Sequence, residues 1–263
     1  MNIEMILIYV FAGLLGLSVG SFLNVVIYRV PNGMSVAFPP SHCPNCDYKL
    51  KWYDNIPVLS YLILGAKCRS CKQPISFRYT AVELLNALFW LGAVWLFWEQ
   101  SLVYAIVVAL ASSVLVCIAF IDLEHQLIFD RFNLSLLVLA IVAVFFDKQI
   151  VWYERLIGFG VGAVFFVGVY YLAQLIFKKE ALGGGDVKLG AVMGLLLGWK
   201  AFLLSMLVAT VLASVVLLIL QKATHGQKGK EYPFAPFLVL GCLVGLFFGN
   251  EIVSAYVSLL GGV

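Results

Sequence analysis

A chain of 263 residues that is 63% hydrophobic and 12% charged is far more apolar than a water-soluble domain, which runs at about half apolar and a quarter charged. Its mean hydropathy of +1.01 excludes a soluble globular protein and makes the lipid bilayer its solvent. The net charge of +3 is small and reports membrane topology, so no nucleic-acid partner is expected.

A bilayer core asks for about 20 apolar residues per helix. Read with that ruler, the chain predicts an all-α polytopic membrane protein of about eight transmembrane helices, at 5–28, 79–98, 102–121, 132–147, 155–177, 187–198, 201–221 and 234–260. The first span has Glu4 and no cation ahead of its apolar run, so it reads as a retained helix and not as a cleaved signal. Alternation of sides places fourteen of the 17 Lys and Arg on one face, leaving Lys148, Arg155 and Lys200 on the other. Cations accumulate on the cytoplasmic side, so both termini are expected outside, with the loops at 29–78, 122–131, 178–186 and 222–233 in the cytoplasm.

Glycines four apart recur at Gly16 and Gly20, Gly158 and Gly162, Gly190, Gly194 and Gly198, and Gly241, Gly245 and Gly249. This small-residue spacing lets helix backbones approach closely in lipid, so these positions read as packing sites. Ser18, Ser21 and Asn24 recur at helical spacing on the first span and read as interhelical hydrogen-bonding groups or a cavity lining. No repeat of fixed period is visible, and one bundle with one inserted loop is the simplest organisation.

That loop holds two C-x-x-C knuckles, Cys43 with Cys46 and Cys68 with Cys71, with 21 residues between the pairs. Four thiolates are the tetrahedral set that zinc prefers, and a loop this short has little core of its own, so a structural zinc would supply its folding energy. The competing reading is two disulfides, which a cytoplasmic location disfavours. His42, beside the first knuckle, is a less suitable ligand because four thiolates already complete a site. Cys117 and Cys242 lie inside apolar spans and read as small packing residues.

An ionisable group at the membrane boundary is costly and marks a functional site. "ALGGGDVKLGAVMG" (181–194) carries such a group, Asp186, behind Gly183, Gly184 and Gly185. "FIDLEHQLIFD" carries Asp122, Glu124 and Asp130 after the third span; Asp122 continues the apolar run, whereas Glu124 and Asp130 are assigned to the loop. The topology puts Asp122 and Asp186 at one depth, where two carboxylates can share a proton and activate a water. Lys188, one turn on, is expected to hold Asp186 ionised, to contact substrate or to snorkel at the boundary. Gly183 and Gly185 permit irregular backbone where a substrate strand must approach closely.

From end to end these motifs resemble the bacterial type IV prepilin peptidases, which are G-x-G-D intramembrane aspartic proteases. The resemblance rests on "GSFLNVVIYRVP", the double C-x-x-C loop with "DNIPVLSYL", "IDLEHQLIFD", "GGGDVKLGAVMGLLLGW" and "YPFAPFLVLG". It implies that Asp122 and Asp186 are the catalytic aspartates. It implies the substrates too: type IV prepilins and pseudopilins, cut after a glycine at the cytoplasmic face of the bacterial inner membrane. Their new N-terminal residue would then be methylated from S-adenosylmethionine. The domains on this reading are 1–28, the first transmembrane helix; 29–78, the cytoplasmic zinc-binding loop; and 79–263, the helical membrane peptidase domain. Glu124 and Asp130 are expected to attract the basic leader. Phe129 stands where the family usually has proline. A proton-coupled transporter is the rival class, but it would place its acids near the midplane.

Overall fold

The computed structural model describes residues 3–177, 183–223, 232–259 and 261. Most of the expected loops at 178–186 and 222–233, including Lys178, Lys179, His225, Lys228 and Lys230, lie outside the described residues. The described chain is helical, with isolated bridges in place of strands. It divides into two compact units, Met1–Trp98 and Glu99–Val263, so the boundary falls one helix after the expected 78/79.

The first unit contains α1 (Ile3–Arg29), a 3-10 turn (Trp52–Asn55), the short α2 (Leu59–Ile63) and α3 (Phe77–Phe97). Helices α1 and α3 pack antiparallel through the glycines: a Cβ on Gly16 would lie 2.8 Å from the Ala87 Cα, and one on Gly20 would lie 2.7 Å from the Glu83 Cα. Contact this close brings side-chain amides to the opposite backbone. Asn86 donates to the Gly16 carbonyl at 2.7 Å, and Asn24 donates to the Tyr79 carbonyl at 3.0 Å.

The second unit contains α4 (Leu102–His125), α5 (Asp130–Phe146), α6 (Trp152–Phe177), α7 (Gly184–Ala223) and α8 (Ala235–Leu259). Among the described residues, six helices are long and apolar enough to cross a membrane. Helix α5, at 17 residues, matches the short fourth span that the sequence predicts. Helix α7 has 40 residues, about 60 Å at 1.5 Å per residue, which is twice a bilayer core. It breaks at Gly198 (φ 73°, ψ 162°), which separates the two expected spans 187–198 and 201–221. Gly198 packs closely, as expected, with its carbonyl carbon 2.8 Å from where a Gly158 Cβ would lie, and it also makes the break, because only glycine takes that conformation without strain.

A break frees helical carbonyls, and Arg155 satisfies them. Its guanidinium is fully buried, donates to the Leu195 carbonyl at 3.2 Å and to the Leu196 carbonyl, and pairs with Asp147. Asp147 in turn accepts from Gln100 at 2.6 Å and from the Gln149 N–H at 2.8 Å. Counted by sequence among the loop cations, Arg155 is instead an interior clamp. The other glycines of the unit pack as expected: Gly158 against Gly194, Gly162 against Gly190, and Gly241 and Gly245 against Ser205.

Candidate active site and metal centre

Helix α4 is capped by Ser101, whose hydroxyl accepts from the Tyr104 N–H at 3.3 Å, and runs apolar almost to its C-terminal end. It stops because Gln126 turns left-handed (φ 53°) and returns its N–H to the Asp122 carbonyl at 2.9 Å. Asp122 is therefore one turn inside the helix end and buried. Its Oδ2 accepts from the Ala235 N–H at 3.0 Å. Ala235 is the first residue of α8, and the N–H groups of a helix start have no partner in their own helix. The sequence motif "YPFAPFLVLG" is where that donor comes from, a role that sequence reading missed.

Asp186 is half-buried in the first turn of α7. Gly183 lies against it: a Cβ there would sit 3.2 Å from the Asp186 Oδ2. A Cβ on Gly185 would sit 2.8 Å from the Ile128 Cβ and 3.0 Å from the Ile128 carbonyl oxygen, so any side chain would displace the 126–129 segment. The Asn133 amide of α5 donates to the Gly185 carbonyl at 3.2 Å. The glycines thus let α7 start against the turn that follows Asp122, which sets the two acids at neighbouring helix ends.

Neither Asp122 nor Asp186 has a cation partner among the described residues. Lys188 turns away and pairs with Asp130 at 2.7 Å, both groups being exposed. Glu124 and Asp130, expected in a loop, lie inside helices: Glu124 in the last turn of α4 and Asp130 as the first residue of α5, because the connecting segment is only Gln126 to Phe129. Phe129 adopts φ −80°, close to the angle at which proline would be fixed, so the departure from proline keeps the turn. Two unpaired carboxylates sharing a low-dielectric boundary can hold one proton between them, and that pair can activate a water against an amide carbonyl.

The first unit holds the cysteines. Sγ atoms of Cys43, Cys46, Cys68 and Cys71 all lie within 4.8 Å of one another. Cys43 is 3.9 Å from Cys71 and Cys46 is 4.0 Å from Cys68. Those spacings are far beyond a disulfide bond and close to the roughly 3.8 Å edge of a tetrahedral thiolate site, so the cluster fits a metal ion such as zinc.

The two knuckles are copies of one turn. Cys43 N–H donates to Tyr48 and Asp47 N–H to Cys43; Cys68 N–H donates to Gln73 and Lys72 N–H to Cys68. Asp47 (φ 54°) and Lys72 (φ 60°) turn left-handed at the same place, and the bridges His42 to Lys49 and Lys67 to Pro74 close each copy. A two-copy repeat is therefore present where the sequence suggested none, because it resides in backbone pairing and only the cysteines mark it.

The N–H groups of Cys71 and Ser70 point at the Cys68 sulfur and hold its thiol down at about 7. The Gln73 N–H acts the same way on Cys71, but burial and three neighbouring sulfurs push it up to about 11. A metal ion would supply the positive charge that lets all four ionise. His42 is not among the four; its Nδ1 lies 3.1 Å from the Pro40 carbonyl. Asp54 braces the second knuckle: it is buried and accepts from Arg69 at 2.8 Å and from the Lys51 N–H at 3.2 Å. Burial alone would raise its carboxyl, and these donors hold it below the usual carboxylate range. Cys117 and Cys242 are buried among apolar side chains, as expected.

Comparison with known proteins separates the same two regions. Residues 14–97 match the Bacterial Peptidase A24 N-terminal domain, and residues 109–218 match the Type IV leader peptidase family. A prepilin leader peptidase/N-methyltransferase of Myxococcus xanthus is 42% identical over 84% of this chain, which spans 65% of that relative's length. A protein of the same name from Pseudomonas aeruginosa is 32% identical over 94% of this chain and 93% of the relative. A type 4 prepilin-like proteins leader peptide-processing enzyme of Escherichia coli is 34% identical over 88% of this chain. No solved structure matches. The paired acids, the four-cysteine loop and these relatives agree, and the chain belongs to the type IV leader peptidase family.

Proposed function

We propose that the chain is an intramembrane aspartic endopeptidase that removes the basic leader of type IV prepilins and pseudopilins after a glycine, and methylates the new N-terminus from S-adenosylmethionine. The observation that supports it is that α7 starts against the turn that follows Asp122, so that Asp122 and Asp186, two acids without cation partners among the described residues, lie at neighbouring ends of apolar helices. One carboxylate takes a proton from water as the oxygen attacks the scissile carbonyl, and the other gives its proton to the departing amine. Gly183 keeps the space beside the Asp186 carboxylate free of a side chain, Gly185 lets α7 start against Ile128, and the exposed Lys188–Asp130 pair links α7 to α5. The proton-coupled transporter has no support among the relatives.

On this reading the peptidase chemistry belongs to the helices after 79, and the loop 29–78 is a zinc-stabilised module. The active site and that loop face the cytoplasm, with both termini outside the bacterial inner membrane. Exposed Glu124 and Asp130 attract the basic leader. The decisive experiment is incubation of the purified protein with a leader-bearing prepilin. Cleavage after the glycine, lost in Asp122→Asn and in Asp186→Asn, is the expected result; near-normal cleavage by either variant sinks the pair.

A further inference from the structure

The first unit encloses a cavity of about 640 Å³ between α1, α3 and the cysteine loop, within the size range of cofactor sites. Five of its wall residues are polar or charged and almost fully buried: Asn24 and Arg29 are 5% exposed, Asp54 7%, Thr80 4% and Glu83 8%. The Asn24 Oδ1 and the Thr80 Oγ1 have no hydrogen-bond partner. Buried polar atoms in folded proteins are nearly always satisfied, so these two acceptors, both on cavity-lining residues, are open to a donor from a ligand.

The charges lining the cavity are unbalanced in the same way. Asp54 and Arg69 also line it but neutralise each other. Glu83 accepts from the Val58 N–H at 2.8 Å and from Ser21, and no cation among the described residues pairs with it. Val58 holds φ 61°, an outlier for a β-branched residue, in the conformation that aims this N–H at the carboxylate. Arg29 is buried and donates to the Ser35 carbonyl at 3.0 Å and the Pro39 carbonyl at 2.7 Å, and it forms no ion pair among the described residues. One cavity therefore presents a carboxylate and a guanidinium that have no counter-ion among the described residues, with Tyr61 and Tyr79 in its wall. A ligand that complements it carries both a cation and a carboxylate, hydrogen-bond donors and a flat ring.

We propose that this cavity is the methyl-donor site, taking S-adenosylmethionine with Glu83 facing its cationic groups and Arg29 its carboxylate; this rests on the bifunctional reading above. The donor has the required zwitterionic head, sulfonium, ribose hydroxyls and adenine. Transfer there balances simply. The peptide amine, having lost a proton to water, uses its lone pair to bond the methyl carbon. The S–C bond breaks with its electron pair kept by sulfur, which leaves as a neutral thioether. The positive charge passes to the methylated nitrogen.

The test is calorimetric titration of the detergent-purified full chain with S-adenosylmethionine. Glu83→Gln retains an acceptor for Val58 but lacks the charge, and should weaken binding roughly tenfold or more, the size of one buried charge-assisted contact. Arg29→Gln should do the same for S-adenosylmethionine and leave adenosine binding unchanged. Thr80→Val removes a hydroxyl that has no partner, so it should fold normally and still bind several-fold more weakly. Bound zinc per chain, measured on each variant, reports that the loop is formed. Binding within twofold of wild type in all three variants would overturn the proposal. So would intact binding in Glu83→Gln with lost methylation, which would assign Glu83 to the peptide amine. Leader cleavage by the same wild-type preparation separates the two ideas: cleavage without donor binding sinks this inference alone, whereas absent cleavage sinks the peptidase reading.

Discussion

Buried charge is handled in two ways in this chain, closed on itself or left open, and each unit has a cluster that shows one of them most clearly. In the second, Arg155 and Asp147 close on each other and on the carbonyls freed at the Gly198 break, so the cluster is spent on holding α5, α6 and α7 together. In the first, Glu83 and Arg29 face a cavity without counter-ions among the described residues. Asp122 and Asp186 resemble the open case, although they lie in the unit that carries the closed one. In an apolar chain a closed charge cluster stabilises the fold, and an open one is free to act on a ligand or a substrate.

The sharpest break in that comparison is at the open acids. Asp122→Asn or Asp186→Asn keeps shape and removes proton chemistry, so leader cleavage should fall by about 10²-fold to 10⁴-fold or more. Bound zinc and thermal stability should stay at wild-type levels. Loss of zinc in these variants would show that the two units do not act separately.

Replacing any of Cys43, Cys46, Cys68 or Cys71 by serine should release zinc and loosen the loop, as measured by metal content and amide exchange. Methylation should fall more than cleavage; an equal fall that tracks protein abundance would make the loop a brace only. Metal binding must displace the protons of Cys68, which ionises at about 7, and Cys71, at about 11. Zinc affinity should therefore decrease on acidification and increase as pH rises across that window.

At the closed cluster, Arg155→Met should destabilise the second unit by about 3–5 kcal/mol, because Asp147 stays buried without its counter-ion. Thermal unfolding in detergent reads this directly, and a stability change under about 1 kcal/mol would show that the clamp is dispensable.

Asp54→Asn is a smaller perturbation with a defined pH signature. The Asp54 carboxyl is depressed in the folded state, so its contribution is present above the ordinary carboxylate value of about 4 and is lost as pH falls through the lowered one. Amide exchange in the loop should separate wild type from variant at neutral pH, and the gap should close in acid. A gap that widens in acid would contradict the assignment.

The smallest effects are at the surface. The Lys188–Asp130 pair is exposed, so Lys188→Ala should change stability by no more than about 1 kcal/mol. Glu124→Gln and Asp130→Asn should raise KM for a basic leader more than they lower kcat, and added salt should erase the difference. A pure kcat loss at either position would move that residue into the chemistry.

Helix positions, the short fourth span and the break near 198 were legible in the sequence, because lipid imposes one length on every apolar run and glycine interrupts it. The four cysteines were equally legible, since a metal site needs its ligands at local spacing. Asp122 and Asp186 stood out because an acid at the edge of an apolar run has few structural reasons to be there.

Tertiary structure alone decided what each charge meets. The Ala235 N–H that reaches Asp122 is 113 residues away, the carbonyls that hold Arg155 are 40 and 41 residues away, and the Val58 N–H on Glu83 is 25 away. None of these pairings leaves a periodicity or a motif. They arise where helices pack closely enough to bring one backbone to another's side chain, and so Glu83, which the sequence reading passed over within the span 79–98, becomes the wall of a cavity.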